Sequence, residues 1–434
     1  MGMRTMKTGI RTLLACLLLA CACGSAQANP QLRVKDTVSG CLNVREDPNT
    51  SADVRTCIQP GTIVTALDSG PYWRKIQVFP GVDGWAAKRY LEPTTSPAPS
   101  PESDTIPANA WLEFHFIDVG QGDAIWITTH DDGLDGNGRF EGKNIVIDGG
   151  PYSADATNPL LAYLEERSHH DAIIDTLIIT HPHTDHYLGA VGLARHFEIG
   201  DFYGSGYPGS ETYVDFLEQM RGSTHRPAKA QRVHIGRQNF GTFDWGNELC
   251  VEVLYAYDPA LQDMGSGNTE NNNASIVLRI EYGEHSFLLM GDAEGKDRSD
   301  APNTARYVEK VLLDTQPPAK LAATVLKVGH HGSETSSTIP FIQAVNPEVV
   351  IVQSGRKSFN GTFIPDRTTL QRYCDHNSNI RIYRTDQHDE ADGLRNREAV
   401  DSDHIVVRTN GAQMQVQALE GGQPFTVSSC SNEG

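Results

Sequence analysis

The sequence predicts a small all-β domain followed by a larger α/β domain, and three observations support this prediction. Residues 94–101 are only Pro, Ser, Thr and Ala, too poor in apolar side chains to bury a surface. Before this stretch, short alternating runs are separated by Pro and Gly turns. After it, longer apolar runs of the buried-strand type stop at His and Asp residues, as in α/β folds with a site at one sheet edge.

The length of 434 residues also favours two domains over a single core. Together with the start of the chain, these patterns predict four segments: a signal peptide at residues 1–28, a β domain at 31–93, a linker at 94–109 and an α/β domain at 110–430.

The start of the chain has the pattern of a secretion signal. Basic residues precede the apolar residues 13–22, and Ala-Gln-Ala at 26–28 resembles a signal peptidase site. A competing lipobox-like stretch at 18–21 would leave Cys21 acylated and the protein anchored to a membrane. No later stretch approaches the ~20 apolar residues of a spanning helix. The sequence predicts export to the periplasm or beyond, as a free protein or a lipoprotein.

The net charge of −19 argues against a surface that holds nucleic acid through clustered Lys and Arg. It leaves a nucleotide substrate open, because metal ions supply their own positive charge.

Export permits disulfides, and Cys41 with Cys57 could bridge the small domain. Five cysteines follow the signal region, and they are Cys41, Cys57, Cys250, Cys374 and Cys430. Because this number is odd, at least one cysteine is expected to stay free or to pair between chains.

The small domain resembles the bacterial SH3 (SH3b) family. The resemblance is carried by Leu-Asn-Val-Arg at 42–45, Gly-Trp-Ala at 84–86 and Tyr-Leu at 90–91, and it covers almost all of residues 31–93. The family is associated with cell-wall peptide, so the resemblance implies a module that contacts the wall. The alternative is a purely structural appendage, and the sequence does not separate the two.

In the large domain, polar residues follow one predicted buried strand after another. Residues 111–117 and 124–128 form a predicted hairpin, and a helix is predicted to begin at Asn158-Pro159. Each further strand ends at a possible ligand: residues 144–147 at Asp148, 176–180 at the His cluster, 285–290 at Asp292, and 322–328 at His330 and His331. Because three strands end in this way, with the Asp148 strand as a possible fourth, a single shared site is expected at their common edge.

The densest of these endings is His181, His183, Asp185 and His186, in the order His-x-His-x-Asp-His. Imidazole and carboxylate groups at this spacing are good metal ligands, and four within six residues are too many for an idle polar loop. A short helix is predicted to leave the cluster at residues 187–197.

These motifs together resemble the metallo-β-lactamase-fold domain of ComEC-type competence proteins. The matching stretches are residues 116–123, the His cluster, Met-Gly-Asp at 290–292 and Lys-Val-Gly-His-His-Gly-Ser at 327–333. The resemblance implies an αββα sandwich with two divalent ions at one edge, Zn²⁺ by preference and Mn²⁺ as the alternative. The membrane-channel part of those proteins has no counterpart here, so DNA uptake is not implied.

The resemblance also implies roles for individual residues. His181 and His183 would hold one ion, Asp185 and His186 the other, and Asp292 both. His330 or His331 would complete the second site, and the spacing does not choose between them. Asp118 and Asp148 would orient ligating imidazoles, and Asn273 and Ser275 would lie in the substrate pocket. Asp185, His186 and His331 are the expected catalytic residues.

One departure concerns the first ion. Many relatives with two ions take a third His from the end of the strand after the His cluster, but residues 199–205 contain none. His225 and His234 are candidates, although each is better explained as a surface His. The sequence therefore predicts an incomplete protein ligand set for the ion held by His181 and His183.

The resulting hypothesis is an exported hydrolase with two metal ions that cleaves phosphodiesters in nucleic acid or in a phosphorylated envelope polymer. The phosphodiester comes from the resemblance, because the same ligands would serve ester or lactam hydrolysis. The alternative hypothesis is a wall-binding protein whose hydrolase fold is a relic.

Overall fold

The computed structural model divides into two compact units, Met1–Ser96 and Pro97–Gly434. The residues that it describes are 31–35, 42–58, 62–69, 72–79, 82–93, 106–133, 138–152, 157–167, 173–222, 230–241, 243–257, 263–355, 358–359, 361–386 and 403–419. The predicted signal peptide with its Cys21 anchor, most of the linker, and Cys41, His225 and Cys430 lie outside them.

The first unit contains a seven-stranded antiparallel sheet in the order β3-β2-β6-β5-β4-β1-β7. Its core follows from alternation: Leu42 and Val44 of β2 point inward, and Asn43 between them is exposed. This small barrel-type domain confirms the predicted all-β segment. Its strands are β1 (Gln31–Val34), β2 (Leu42–Arg45), β3 (Val54–Ile58), β4 (Ile63–Ser69), β5 (Trp73–Phe79), β6 (Val82–Ala87) and β7 (Leu91–Pro93).

The second unit contains two large sheets. The eight-stranded sheet has the order β13-β12-β11-β10-β9-β8-β22-β23, and the six-stranded sheet has the order β14-β15-β16-β17-β18-β21. The strands of the first are β8 (Leu112–Phe116), β9 (Ile125–Thr128), β10 (Asn144–Ile147), β11 (Ile173–Ile179), β12 (Glu198–Gly204), β13 (Ala230–Ile235), β22 (Ile405–Thr409) and β23 (Met414–Ala418). Those of the second are β14 (Cys250–Tyr255), β15 (Val277–Tyr282), β16 (His285–Leu289), β17 (Val325–Lys327), β18 (Val349–Val352) and β21 (Arg381–Arg384), and a separate hairpin pairs β19 (Ser358–Phe359) with β20 (Thr362–Phe363).

The sheets pack face to face, and helices cover their outer sides. Phe114 of one sheet stacks on Phe287 of the other with ring centroids 3.9 Å apart. Separate apolar clusters lie between each sheet and its helices. The predicted αββα sandwich is therefore confirmed. Its helices are α1 (Pro159–Arg167), α2 (Thr184–His196), α3 (Glu211–Met220), α4 (Asn268–Asn272), α5 (Tyr307–Thr315), α6 (Pro318–Leu321), α7 (Ile339–Val345) and α8 (Arg367–His376).

Parallel pairing brings the polar strand ends to one edge. Strands β10, β11 and β12 are parallel in one sheet, and β16, β17, β18 and β21 are parallel in the other. Asp148, the His cluster, Asp292 and His331 each follow the carboxyl end of one of these strands.

The helix after the His cluster begins earlier than the predicted residues 187–197. α2 starts at Thr184, with His183 at its N-cap position, so Asp185 and His186 lie in its first turn. A carboxylate is stabilised there by the helix dipole, which the apolar pattern alone does not reveal.

Two further findings concern the cysteines and the helices of the described residues. Cys57, Cys250 and Cys374 are disulfide-bonded. Among the helices in the described ranges, none is both long enough and apolar enough to cross a bilayer.

Candidate metal centre

His186 is fully buried in the first turn of α2, and its two ring nitrogens have different surroundings. Nδ1 lies 2.8 Å from Asp148 Oδ2. Nε2 lies 3.3 Å from Asp292 Oδ2 but forms no hydrogen bond. Asp148 itself accepts hydrogen bonds from the backbone and the hydroxyl of Thr180, at 2.8 and 2.7 Å. The ring is thus fastened by one nitrogen and presents the other to Asp292.

His331 has the same arrangement on a different loop. Its Nδ1 lies 2.9 Å from the backbone oxygen of Gln353, and its Nε2 lies 3.2 Å from Asp292 Oδ2 without a hydrogen bond. Asp185 Oδ2 is 3.7 Å from the same Nε2. The backbone of His331 has φ of +52°, a strained conformation for a residue with a side chain. The structure thus brings His331 into the cluster that contains His186 and Asp292.

His330, by contrast, points elsewhere. Its side chain is 22% exposed, and its Nδ1 lies 3.2 Å from Glu294 Oε1 and 3.1 Å from the hydroxyl of Thr335. It belongs to neither of the ligand groups that the described residues form. The structure therefore separates two neighbouring residues that the sequence could not distinguish.

His181 and His183 form the second group with Asp292. His181 Nε2 lies 3.1 Å from His183 Nδ1 and 3.7 Å from Asp292 Oδ2. His181 is buried and its Nδ1 lies 3.1 Å from the Thr180 hydroxyl, whereas His183 is partly exposed. His234, one candidate for a further ligand, instead pairs with Asp201 at 2.9 Å. No third His joins His181 and His183 within the described ranges.

Asp123 is a buried carboxylate that the sequence reasoning did not assign to the site. Its ligand atoms lie within 4.8 Å of those of His186, Asp292 and His331. However, Asp123 approaches the Nδ1 side of both imidazoles, at 3.3 Å from His331 and 3.9 Å from His186. Its Oδ2 forms an ion pair with Lys327, which is fully buried. Asp123 Oδ1 is buried and has no hydrogen-bond partner, and the ligand group of the described residues contains Asp123 rather than Asp185. Asp185 lies on the Nε2 side of His331, and its role as a ligand stays a prediction.

The signal for Asp123 was present in the sequence. It ends the motif at residues 116–123, and Lys327 ends a buried strand, where an unpaired charge would be very unfavourable.

Asp118 lies in the same motif. Its Oδ1 accepts a hydrogen bond from the backbone of Gly120, and its own backbone N–H donates to His404 Nδ1, both at 2.9 Å. Its assignment as an orienting carboxylate remains a prediction.

Asn273 and Ser275 are fully buried and fasten the loop that carries Asp292. Asn273 Oδ1 accepts from the backbone of Glu294 at 3.0 Å, and Ser275 Oγ accepts from the backbone of Asp292 at 2.9 Å. The structure places them beneath the site, so a contact with substrate, as predicted for a pocket, is not favoured by their burial.

The pKa values of His186 and His331 are shifted upward, whereas that of His181 is shifted downward. Burial by itself would lower the pKa of His186, but the carboxylates of Asp292 and Asp148 outweigh it and raise that pKa well above the usual range. The pKa of His331 is raised in the same way against burial, by Asp292 and Asp123. Burial lowers the pKa of His181 well below the usual range.

The orphaned atoms provide a test of whether metal ions fit. His186 Nε2, His331 Nε2 and Asp292 Oδ1 are all buried and without a hydrogen-bond partner. Leaving such atoms unsatisfied costs about 1–3 kcal/mol each, so their presence in one cluster needs an explanation. One ligand atom of each of these residues lies within 4.8 Å of the others, and this set of nitrogen and oxygen donors suits a divalent ion such as zinc or manganese.

Family models match both units. The model described as metallo-beta-lactamase superfamily matches residues 139–356, and the one described as bacterial SH3 domain matches residues 40–92. The chain is 27% identical over 293 residues to ComE operon protein 3 of Bacillus subtilis, covering 63% of this chain and 32% of that protein. It is 25% identical over 262 residues to Recombination protein 2 of Haemophilus influenzae, covering 59% and 26%.

Among solved structures, one similar chain is a diphosphatase from the PhnP family, with 11% identity and a TM-score of 0.31, covering 55% of this chain and 85% of that one. The chain spans about a third or less of the length of the two curated relatives named above.

Proposed function

The chain belongs to the metallo-beta-lactamase superfamily and carries a bacterial SH3 domain, and from that premise we propose that it is an exported, metal-dependent phosphodiesterase. The observation that supports this best is that His186 Nε2 and His331 Nε2, both buried and without hydrogen-bond partners, lie 3.3 and 3.2 Å from Oδ2 of the same carboxylate, Asp292. A relic fold would have no reason to keep such unsatisfied atoms together, because each destabilises the folded chain.

Two sets of residues would hold the ions. His181, His183 and Asp292 form one set, and Asp123, His186, His331 and Asp292 form the other. Asp185 Oδ2 lies 3.7 Å from His331 Nε2, and we assign it as a further ligand on that side. When bound, two divalent ions activate water and polarise the group under attack, which is the chemistry that hydrolysis requires.

The protein itself buries the two imidazoles of His186 and His331 and fixes their orientation. Asp148 holds Nδ1 of His186, and the Gln353 carbonyl holds Nδ1 of His331. Such contacts determine which ring nitrogen carries the proton and which faces the ion. His330, held by Glu294 on the partly exposed side, is the imidazole that we assign to substrate contact.

The substrate class rests on weaker support. The name of one relative, Competence protein ComA of Neisseria gonorrhoeae, connects a similar chain with competence, and we take this as support for nucleic acid. The net charge of −19 and the SH3 domain favour a phosphorylated wall polymer instead. Both are phosphodiesters. Export is supported by disulfide-bonded Cys57, Cys250 and Cys374, because disulfides persist in oxidising compartments.

The proposal is tested with purified protein that is stripped of metal and reloaded with Zn²⁺ or Mn²⁺. Bound metal is quantified, and turnover of bis(p-nitrophenyl) phosphate is measured. We expect metal-dependent turnover that His331→Ala abolishes. His234→Ala serves as the matched control, because it removes an imidazole outside both ligand groups and should retain activity.

A protein that carries its full metal complement but hydrolyses no phosphodiester would contradict the proposal. It would favour the alternative, a wall-binding protein with a relic hydrolase fold. Binding of the same preparation to purified cell wall, with and without the SH3 domain, would then measure that alternative directly.

A further inference from the structure

Two tyrosines form a ring pair at the edge of the sandwich that carries the metal centre. The ring centroids of Tyr207 and Tyr257 lie 5.1 Å apart and their planes are at 87°, which is the edge-to-face geometry that aromatic pairs prefer. Each of the two side chains is partly exposed. The ring pair therefore presents aromatic surface to the solvent at this edge.

The sheet topology puts both tyrosines at the same edge as the metal ligands. Tyr207 follows the end of β12, which pairs in parallel with β11, the strand that leads to His181. Tyr257 follows the end of β14. Because β14 and β16 are both antiparallel to β15, their carboxyl ends lie at one edge, and β16 leads to Asp292. Each sheet thus contributes one tyrosine to the edge that carries the ligand groups.

The loop that carries Tyr207 packs directly on Pro182, which precedes His183. Gly209 of this loop has φ of +59°, and a Cβ atom placed on it would lie 2.4 Å from Cβ of Pro182, so glycine is required there. The backbone N–H of Tyr207 donates to Oγ of the buried Ser205 at 3.3 Å. The ring pair is therefore fastened to the turn that carries the partly exposed imidazole of the metal centre.

Helix α4 joins Tyr207 to His330, the imidazole assigned to substrate contact. The hydroxyl of Tyr207 donates to the carboxylate of Glu270 in α4, and burial, followed by this negative charge, raises the pKa of the tyrosine. Asn272, at the end of α4, donates from Nδ2 to Glu294 Oε1 at 2.6 Å and lies 3.3 Å from His330 Nε2. The ring pair and His330 are thus attached to the same short helix.

The charge beside the ring pair argues against a phosphate-binding role for it. Glu270 places a carboxylate at Tyr207, and the chain carries a net charge of −19. A phosphate would be repelled at this position, whereas an uncharged flat ring would not. Because this chain is acidic, affinity for a phosphodiester also needs a contribution that does not depend on charge.

Nucleobases supply such a contribution by stacking on aromatic side chains. Stacking tolerates any sequence, because every base has a flat π-face. A glycerol-phosphate chain has no flat ring and would gain less from the same two tyrosines. Of the two substrate classes that the proposed function leaves open, the ring pair therefore favours nucleic acid.

We propose that Tyr207 and Tyr257 form a stacking platform for the nucleobase next to the phosphodiester that is cleaved. The inference rests on the proposed phosphodiesterase function and narrows its substrate class to nucleic acid. The platform acts on binding, so its loss should raise KM for substrates that carry a base and spare those that do not.

The test uses three phosphodiesters that share a p-nitrophenyl leaving group and differ in the other alcohol. One carries thymidine, one carries the abasic deoxyribose, and one carries glycerol to represent the wall polymer. They are compared on the metal-loaded wild type and on Tyr207→Ala, Tyr257→Ala and Tyr207→Phe. Tyr72→Ala is the matched control, because Tyr72 is a tyrosine of the first unit with 80% exposure.

We expect the wild type to have its highest kcat/KM with the thymidine ester. Each alanine variant should raise KM for that ester about tenfold and leave kcat/KM for the abasic ester within about twofold of wild type. Tyr207→Phe keeps the ring and should retain the preference, as should Tyr72→Ala. The tenfold difference should persist at high salt, because stacking is not screened as charge interactions are.

Equal kcat/KM of the wild type for the thymidine and abasic esters would overturn the platform, and so would alanine variants that keep the preference. A preference for the glycerol ester that falls in the alanine variants would overturn the nucleobase and assign the ring pair to a wall polymer. Metal content and melting temperature identify a variant that fails to fold. The other alanine variant then decides, or the wild-type ratio if both fail.

Failure of the proposed function is distinguishable from failure of the platform. If the wild type hydrolyses none of the three esters, the proposed function fails. Anisotropy of a fluorescent oligothymidylate then measures binding to the metal-loaded wild type and to Tyr257→Ala. Weaker binding by Tyr257→Ala would support the platform, and equal binding would overturn it.

Discussion

The two halves of the metal centre differ in how completely the protein prepares them. On the side of His186 and His331, each ring is fully buried and is fastened at Nδ1 by Asp148 or by the Gln353 carbonyl. On the side of His181 and His183, one ring is partly exposed, and His181 Nε2 lies 3.1 Å from His183 Nδ1. We call these the closed half and the open half.

The difference indicates a division of labour. A metal site with a complete, oriented ligand set is suited to holding its ion, whereas a site with fewer protein ligands keeps positions for water or substrate. The open half has two imidazoles and shares Asp292 with its neighbour. Substrate should therefore approach from the side of His183, which is also the exposed side.

The largest effect should follow removal of the carboxylate that the halves share. Asp292→Asn weakens the ligand set of both, and turnover should fall by more than about 10³-fold because several electrostatic contacts are lost together. Bound metal, measured by mass spectrometry of the native protein, should fall from two ions towards none. Retention of two ions by this variant would show that the halves do not depend on Asp292.

A smaller effect, on metal affinity, should follow removal of the contact between Asp148 and Nδ1 of His186 in the closed half. Asp148→Asn weakens the anchor on His186 Nδ1, and metal affinity should fall by about 10- to 100-fold, as for other residues that orient metal-binding imidazoles. Competition with a chromophoric chelator measures this. Asp175→Asn is the control, because Asp175 is a half-buried carboxylate bound to Lys143 and Asn144. An affinity equal to wild type in Asp148→Asn would contradict the role of the closed half.

The comparison also predicts stepwise loading. Titration of metal-free protein with Co²⁺ should give two phases, and the weaker phase should belong to the open half. His183→Ala should remove that phase and leave the stronger one. If His183→Ala instead removed the stronger phase, the assignment of open and closed halves would have to be reversed. The visible absorption of Co²⁺ reports each phase without any need for turnover.

The sequence predicted the closed and open halves to different extents. His181, His183, Asp185 and His186 lie on one loop, so local spacing was sufficient to predict them as ligands. The choice between His330 and His331 required coordinates, because two adjacent residues with φ of +43° and +52° diverge in a direction that no sequence pattern encodes. The open half was predicted from a missing His, an absence that the sequence does show.

Asp123 illustrates a different limit. The sequence identified the motif that contains Asp123 and predicted an orienting role for Asp118, which stays a prediction, but it gave Asp123 no role. Only the pairing of β17 with β16 and the burial of Lys327 reveal that Asp123 faces the imidazoles. The fold class was easier to predict from the sequence, because it depends on the order of strands and helices and not on which of two nearby side chains points inward.

The turn that carries Asp118 and Asp123 is tied to β22 by His404, which gives the closed half a pH-sensitive support. The backbone of Asp118 donates to His404 Nδ1, so the ring must be neutral to accept. Burial lowers the pKa of His404 to about 4, and nearby Arg167 and His115 add to this. Tyr163 packs edge-on against the ring with centroids 4.6 Å apart.

The sign of the effect follows from this lowered pKa. The unfolded chain binds a proton near pH 6.5, whereas the folded chain resists it until about pH 4, so stability from His404 is complete above pH 6.5 and is lost as pH falls. At pH 5 the loss is on the order of 2 kcal/mol. Melting temperatures between pH 7 and pH 4.5 should therefore decline less in His404→Asn than in wild type, while His376→Asn, away from this contact, should decline as wild type does. If the melting temperatures of wild type and His404→Asn declined equally with pH, His404 would not be the pH-sensitive support of the closed half.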